Sequence, residues 1–172
     1  MSEKKPLVSV IMNCHNGEKY LEQSVKSIID QTYNNWELIF WDNQSTDNSK
    51  KIIHKFTDDR IKYFKSENFK KLYESRNLAI QKAQGKFISF LDTDDMWVQD
   101  KIEKQVNFLE QYTDYEIVYS NYYILDEFKK KKFTMFKNQL TSGLILNNLL
   151  KKYTVGIVTV FLSRDIFKDY SF

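Results

Sequence analysis

The sequence of this 172-residue chain predicts an α/β protein with a mostly parallel central sheet and helices on both faces. Short apolar runs alternate four times with segments whose apolar residues recur at helical spacing. Strand–helix–strand units of this kind form right-handed crossovers, and their repetition builds a parallel sheet. The first apolar run, Leu7 to Met12, alternates little, as expected for a central strand that is covered on both faces.

The composition favours one folded domain and excludes several classes of protein. The chain is 42% hydrophobic and 28% charged, which is typical of globular proteins. Its net charge of +3 is too small an excess to indicate a nucleic-acid partner. Cys14 is the only cysteine, so no internal disulfide can form and a reducing compartment is expected. The apolar run near the N-terminus is too short for a signal peptide or a transmembrane helix, which predicts a cytoplasmic protein.

The first part of the chain predicts three strands separated by helices. After the first strand, apolar residues at helical spacing predict a helix from about Glu18 to Asp30. Residues 36–41 form the next predicted strand, and residues 60–65 a shorter one. Ser45 or Thr46 can cap the helix that lies between these two strands.

The next part continues the alternation. A helical face runs from Leu72 to Ala83 and is followed by Gly85, a common residue at the C-terminal end of a helix. The run Phe87 to Leu91 reads as a buried strand, and a helix is predicted to start near Met96. Residues 116–125 predict a longer strand.

Beyond these elements the pattern is weaker. The lysine run at 129–132 predicts a solvated loop or a hairpin tip, with contact to an anionic membrane or polymer as the alternative. Residues 142–150 then look helical, and residues 155–163 look like another strand.

Three aspartates, Asp92, Asp94 and Asp95, follow the buried strand directly. If the chain stays extended, Asp92 and Asp94 point to the same side, and two hard oxygen ligands favour Mg²⁺ or Mn²⁺. Such cations commonly bridge to the phosphates of a substrate. The alternative is that one aspartate only caps the helix near Met96; Asp95 can be that cap while the other two face a ligand.

Polar residues also follow two other strands. Asp42 comes directly after the second strand, and Asn13 and His15 come after the first. Ligands of open α/β sheets bind outside the carboxyl ends of the strands, so these residues are expected at the same rim as the acids. Trp97, just after the acids, is a candidate for lining the site.

Two blocks of the sequence resemble the family 2 glycosyltransferases. The first block, VSVIMNCHNGEKYLEQSVKSIIDQTYNNWELIFWDNQSTDNS, resembles the opening of that family. The second, ESRNLAIQKAQGKFISFLDTDDMW, resembles the stretch that ends in its acidic metal motif. The similarity covers roughly residues 6–125 and keeps both the order and the spacing of the blocks.

The resemblance implies a GT-A type, Rossmann-like nucleotide-binding fold. It implies transfer of a sugar from a nucleotide-diphosphate donor, with a UDP-sugar as the first expectation, to an acceptor hydroxyl. The reaction would use Mn²⁺ or Mg²⁺ and would invert the configuration at the anomeric carbon. The acceptor would be a saccharide or a lipid-linked molecule in surface polysaccharide or lipopolysaccharide synthesis, and the enzyme would work in the cytoplasm, at times peripheral to the inner face of the membrane. The alternative is a catalytically incomplete nucleotide-binding fragment or module.

The site residues carried over from the family fall into two sets. The donor-binding residues that the resemblance implies are Asn13, His15, Asp42, Asn43, Arg76 and Asp92. The metal ligands that it implies are Asp94, Asp92 and Asp95. Arg76 would either hold Asp92 by a charged hydrogen bond or touch phosphate directly. Asn43 stands where many members have a second aspartate; its amide can still pair with uracil through both a donor and an acceptor, but the identity of the base is less defined.

The family's general base is an acidic residue well after the metal motif, near the acceptor. Asp165 and Asp169 are the last carboxylates, and neither lies in such a motif. We therefore expect the base beyond Phe172, in a longer enzyme of which this chain is a fragment. Residues 1–125 are interpreted as the nucleotide-sugar donor-binding domain, and residues 126–172 as the start of an acceptor-side region that is continuous with it.

Overall fold

A computed structural model describes residues 5–172 of the chain. Its strands are β1 Val8–Cys14, β2 Trp36–Asp42, β3 Ile61–Lys65, β4 Phe87–Phe90, β5 Ile117–Val118, β6 Tyr123–Asp126, β7 Lys131–Thr134 and β8 Phe161–Ser163. Its α-helices are α1 Leu21–Ile29, α2 Ser49–Ile53, α3 Leu72–Ile80, α4 Lys101–Gln111 and α5 Leu146–Lys151. Short 3₁₀ helices cover Ile157–Thr159 and Arg164–Lys168. Within residues 5–172, no helix is both long and apolar enough to cross a bilayer.

The central sheet has six strands in the order β3-β2-β1-β4-β8-β5. β1 lies between β2 and β4 and is parallel to both, and β3 extends the parallel set beyond β2. β8 runs antiparallel between β4 and β5. The predicted α/β class with a mostly parallel sheet is confirmed, and the carboxyl ends of β1, β2 and β4 meet at one edge.

Both faces of the sheet are covered by helices. Successive residues of β1 point to opposite sides of the sheet, so they belong to two different core clusters. Val10 and Met12 belong to one core cluster, which also contains residues of α1, α2 and α4. Ile11 belongs to the other cluster, together with Ala79 of α3 and with Val160. The two layers of helices explain why the first apolar run shows so little alternation.

Two predicted helix starts are wrong. α2 begins at Ser49 with Asn48 before it, so neither Ser45 nor Thr46 caps it. α4 begins at Lys101 rather than near Met96, so Asp95 does not cap it. Residues 91–98 are instead held as a loop on α1.

Two serines of α1 hold that loop. The Ser24 hydroxyl donates to the Thr93 carbonyl over 2.8 Å, and the Trp97 N–H donates to the Ser27 hydroxyl over 3.1 Å. Because these tertiary contacts hold residues 93–97 in a loop, α4 begins further along the chain, at Lys101.

Gly85 has a different role from the predicted helix end. α3 ends at Ile80, well before this glycine. A Cβ atom on Gly85 would lie 2.6 Å from the Ser9 nitrogen and 2.8 Å from the Leu7 oxygen. A glycine is needed here because the backbone passes directly against β1.

The predicted strand at 116–125 is interrupted. Its first part is β5 of the central sheet, and its last part is β6, which pairs with β7 in a separate two-stranded sheet. Between them the Asn121 amide donates to the Phe136 carbonyl and accepts from the Phe136 N–H, so a side chain replaces the strand pairing. The lysine run lies in the β6–β7 turn and in β7, as the hairpin prediction expected.

Candidate functional site

The loops after β1 and β2 are cross-linked by hydrogen bonds at the carboxyl edge of the sheet. The Asn16 N–H donates to the Ser45 hydroxyl over 3.1 Å, and the Asn16 side-chain oxygen accepts from the Thr46 N–H over 2.8 Å. The Gly17 N–H donates to the Ser49 hydroxyl over 2.9 Å. Asn16 has a φ of 57°, a left-handed conformation that asparagine tolerates better than most residues. The two loops therefore form one framework.

A cavity of about 180 Å³ lies beside this framework, between the end of β1 and the start of α3. Asn13, His15 and Asn43 line it together with residues of the 69–75 segment. Two buried polar atoms here, Asn13 Nδ2 and Ser75 Oγ, have no hydrogen-bond partner within the described residues. Leaving a buried polar group unpaired is unfavourable, so both atoms are suited to a polar ligand.

Asp42 is engaged inside the protein. Its carboxylate accepts from the Ser45 N–H over 2.8 Å and from the Tyr63 hydroxyl over 2.6 Å, and the residue is 1% exposed. Burial, followed by this hydrogen bond and the charge of Asp42, raises the pKa of Tyr63, so the hydroxyl stays protonated and donates. Asp42 thus fixes the start of the 43–49 loop.

Asn43 is also engaged. Its amide donates to the Lys70 carbonyl over 2.8 Å, and its side-chain oxygen accepts from the Lys70 N–H over 3.0 Å. One further donor hydrogen and one acceptor lone pair remain on the amide. Asn43 therefore holds the 68–71 loop against the end of β2.

His15 is exposed at the mouth of the cavity. Its Nδ1 lies 2.9 Å from the Asn43 carbonyl oxygen, so this nitrogen carries the hydrogen and donates. Its ring meets the Phe69 ring edge to face, with centroids 4.9 Å apart. The two rings form one wall of the cavity.

The acidic segment forms a turn and does not stay extended. Thr93 and Asp94 occupy the turn, and the Asp95 N–H donates to the Asp92 carbonyl over 3.2 Å. The condition under which strand alternation would point Asp92 and Asp94 to the same side, an extended chain, is therefore not met. Asp95 still lies close enough to Asp94 and Asp92 for their charges to raise its pKa.

Arg76 of α3 lies next to this turn. Its guanidinium donates to the Asp92 carboxylate over 3.2 Å, and its side chain is 14% exposed. Arg76 thus brings a positive charge to the acidic turn, and it follows Ser75, which lines the cavity, directly in the chain. This is the first of the two positions that the sequence left open for it.

The acidic turn suits a divalent cation in charge and in ligand type. Burial, and then the charges of Asp94 and Asp92, raise the pKa of Asp95 to about 6. A bound cation would relieve this repulsion. Within residues 5–172 no three His, Cys, Asp or Glu side chains are grouped to enclose a metal. Mg²⁺-type sites, however, use one or two carboxylates and complete their shell with water and phosphate oxygens.

Trp97 does not line the site. It is 8% exposed, and its indole N–H donates to the Val158 carbonyl over 3.0 Å. Phe69 and Ser75 line the cavity instead, and neither was predicted. Phe69 could have been predicted as a site residue, because it is an aromatic residue in the polar segment SENFKK. Nothing in the sequence points to Ser75 except its position next to Arg76.

The sheet order, the helices on both faces and the site at the carboxyl edge define a GT-A type nucleotide-sugar transferase fold. The model of the family described as "Glycosyl transferase family 2" matches residues 9–171, and the chain belongs to this family of transferase enzymes. The predicted family and fold are confirmed.

Two curated relatives match most of the chain. UDP-Glc:alpha-D-GlcNAc-diphosphoundecaprenol beta-1,3-glucosyltransferase WfgD of Escherichia coli is 36% identical over 166 residues, which cover 96% of this chain and 64% of the relative. Putative teichuronic acid biosynthesis glycosyltransferase TuaG of Bacillus subtilis is 33% identical over 173 residues, which cover 96% of this chain and 65% of the relative. The chain thus spans a little less than two thirds of the length of these relatives.

Solved structures show the same fold at lower identity. S. aureus TarS 1-349 in complex with UDP-GlcNAc superposes with a TM-score of 0.79 at 23% identity, covering 94% of this chain and 46% of that one. Mannosyltransferase PcManGT from Pyrobaculum calidifontis, in complex with GDP-Man and Mn²⁺, gives a TM-score of 0.71 at 18% identity, covering 96% of this chain and 47% of that one.

Proposed function

We propose that this chain is the donor-binding part of a metal-dependent, inverting glycosyltransferase that uses a UDP-sugar. The observation that carries the proposal is a cavity with two buried polar atoms, Asn13 Nδ2 and Ser75 Oγ, that have no partner among residues 5–172. Ser75 is followed in the chain by Arg76, which pairs with Asp92 of the acidic turn. A nucleoside would enter the cavity, and its diphosphate would reach the turn. The UDP-sugars in the names of WfgD and of the TarS complex support uracil as the base.

Each site residue has a role in this proposal. Asn13 and Asn43 would hold the base, and His15 would form its wall with Phe69. Asp42 would affect nucleoside binding indirectly, by holding the loops after β1 and β2 in place. Its carboxylate already accepts hydrogen bonds from Ser45 and Tyr63.

The acidic turn would serve the diphosphate. Asp94, helped by Asp92 and Asp95, would hold Mn²⁺ or Mg²⁺, and the Mn²⁺ in the PcManGT complex supports this choice. When bound, such a cation neutralises the charge that grows on a leaving diphosphate. Arg76 would fix Asp92 and lower the negative potential beside the phosphates.

The acceptor side is proposed from the relatives. A lipid-linked diphosphate acceptor and a role in surface polysaccharide synthesis are supported by the names of WfgD and TuaG. With such an acceptor the enzyme would work in the cytoplasm, peripheral to the inner face of the membrane. We propose that the base that deprotonates the acceptor hydroxyl is a carboxylate outside these 172 residues. Residues 126–172 would then begin the acceptor-side region.

The variant Asp94→Asn tests the donor half. At a UDP concentration of about one hundred times Kd, a bound ligand stabilises a protein by about 2.7 kcal/mol. We expect wild type to show this gain with UDP and Mn²⁺, and Asp94→Asn to lose the part that requires Mn²⁺. Thermal shift with UDP, GDP and Mn²⁺, each alone and combined, measures the effect.

Asp59→Asn is the matched control, because Asp59 is also an exposed aspartate and lies on the loop before β3. It should respond to UDP and Mn²⁺ as wild type does. Equal stabilisation of wild type and Asp94→Asn by UDP with Mn²⁺ would contradict the assignment of the acidic turn, and stabilisation by GDP but not UDP would contradict the choice of base.

A further inference from the structure

The net charge of the chain is unevenly distributed. Residues 128–154, named here the basic face, contain seven lysines and no Asp or Glu. The other 145 residues carry 19 of the 26 basic groups and all 23 acidic groups, which gives them a net charge of −4. The positive charge of the chain therefore belongs to the β6–β7 hairpin tip, β7, α5 and the loop between β7 and α5.

The basic face also exposes large apolar side chains. Five of them are between 68% and 103% exposed: Phe128, Leu144, Leu146, Leu150 and Tyr153. In α5 the residues Leu146 and Leu150 are four apart and point outward together, while Leu149 is half-buried. This short helix thus exposes leucines to the outside, ends in Lys151 and is followed by Lys152.

Part of the basic face is a groove of about 550 Å³ between residues 135–141 and α5. Among the described residues, Lys137, Lys151 and Lys152 line it, and no Asp or Glu does. Lys152 Nζ lies 5.6 Å from the centre of the Phe136 ring, which joins α5 to the end of β7. Three positive charges therefore converge on one concave surface with apolar edges.

The basic face begins next to the donor site. The Tyr20 hydroxyl donates to the Glu127 carboxylate over 2.8 Å, and Tyr20 precedes α1 at the end of the loop that follows β1. The β6–β7 turn is thereby fixed to the carboxyl edge of the central sheet.

We propose that the basic face docks on an anionic lipid bilayer. Lysines attract anionic headgroups, and the leucines and Phe128 would enter the interface between headgroups and acyl chains. A nucleic acid would neutralise the lysines but would leave these apolar side chains exposed, so the bilayer fits better. The docking does not depend on sugar transfer; its purpose, to bring a membrane-held acceptor to the donor site, rests on the proposed function.

Vesicle flotation of the 172-residue chain tests the proposal. Wild type should bind vesicles of phosphatidylcholine with phosphatidylglycerol, bind phosphatidylcholine alone far more weakly, and lose binding as salt is raised. Each lysine near an anionic surface contributes roughly fivefold in affinity, so the loss of all three in Lys137→Gln/Lys151→Gln/Lys152→Gln should lower the affinity roughly a hundredfold. Leu144→Ser/Leu146→Ser/Leu150→Ser should lower it as well.

The matched control is Lys50→Gln/Lys51→Gln/Lys55→Gln, which removes three exposed lysines in and just after α2, outside the basic face. It should bind vesicles as wild type does. All variants should keep the wild-type melting temperature and the wild-type response to UDP with Mn²⁺, so a failure here is distinct from a failure of the donor site. The proposal is overturned if wild type does not prefer anionic vesicles or if the control loses as much binding. Tight binding of single-stranded RNA that needs the lysines but not the leucines would also overturn it.

Discussion

At the scale of single residues, the polar side chains of the site differ in whether their hydrogen bonds are already made. Asp42 and Asn43 are paired within the protein, to Ser45, Tyr63 and Lys70. Ser75 is buried and its hydroxyl is unpaired within the described residues. The paired residues build the cavity. The Ser75 hydroxyl destabilises the ligand-free protein, and a ligand that hydrogen-bonds to it removes this penalty.

This difference predicts opposite effects of Ser75→Ala on stability and on binding. An unpaired buried hydroxyl destabilises the folded state by about 1–3 kcal/mol, so the ligand-free variant should be at least as stable as wild type. UDP affinity should fall up to about tenfold, because one hydrogen bond is worth about 0.5–1.5 kcal/mol. Urea unfolding and titration calorimetry measure the two quantities. A variant that is less stable yet binds UDP normally would show that Ser75 has only a packing role.

At the scale of elements, α4 is attached to the sheet through a buried lysine. Lys101 Nζ lies 3.0 Å from the Ser89 hydroxyl of β4 and 2.6 Å from the Gln105 side-chain oxygen. Gln105 in turn donates to the Thr159 carbonyl over 2.9 Å, just before β8. Burial holds the pKa of Lys101 well below its usual value of 10.5. The helix is therefore joined to β4 and to the segment before β8 by polar contacts in the core.

The lowered pKa of Lys101 predicts a dependence of stability on pH. At pH values between the pKa of Lys101 in the folded state and its pKa in the unfolded chain, the unfolded chain binds a proton that the folded protein does not. The free energy of unfolding therefore rises with pH in this range, up to about pH 10.5. Lys101→Met removes this contribution. We expect the free energy of unfolding of wild type, relative to the variant, to rise by up to about 1.4 kcal/mol per pH unit in that range.

Urea unfolding at several pH values between neutral and mildly alkaline measures this slope. Lys104→Met is the control, because Lys104 is exposed on the same helix and pairs with Asp100 over 2.7 Å. Its stability relative to wild type should not change with pH. Parallel pH profiles for wild type and Lys101→Met would mean that Lys101 keeps its proton in the folded state.

At the scale of the whole molecule, the C-terminal part of the chain is built into the central sheet. β8 pairs with β4 on one side and with β5 on the other, so β8 joins β5 to the rest of the sheet. Phe161 of β8 is fully buried, and its ring centroid lies 5.1 Å from that of Phe87. Phe161 thus belongs to the same core as the strands that precede residue 125.

Phe161→Ala should therefore destabilise the whole protein. Truncation of a buried phenylalanine lowers the free energy of unfolding by about 3–5 kcal/mol, which is a large part of the stability of a typical domain. Phe128→Ala, at a fully exposed position, should change it by less than about 0.5 kcal/mol. Denaturant unfolding with circular dichroism compares the two. A small effect of Phe161→Ala, with the parallel strands intact, would show that β8 is dispensable for the core.

The regular elements were accessible to sequence reasoning because periodicity is a local property. β1, β2 and β4 lie close to their predicted positions, since apolar runs bounded by polar residues encode buried strands. The starts of α2 and α4 could not be predicted from local sequence, because contacts with other segments decide where each helix begins. For α4 these contacts come from Ser24 and Ser27 of α1. Gly85 was assigned to a helix end because its close approach to β1 leaves no local signature.

The sequence by itself determined the α/β alternation, the family, and the delivery of Asp42, Asp92 and Asn13 to one edge of the sheet, since each of these depends on residue order along a strand. Only the tertiary structure decided that Asp42 faces inward, that the acids form a turn, that Ser75 completes a cavity with Asn13, and that β8 enters antiparallel. These features join residues far apart in the chain. Their hydrogen bonds are fixed by packing between elements, which no local pattern of side chains encodes.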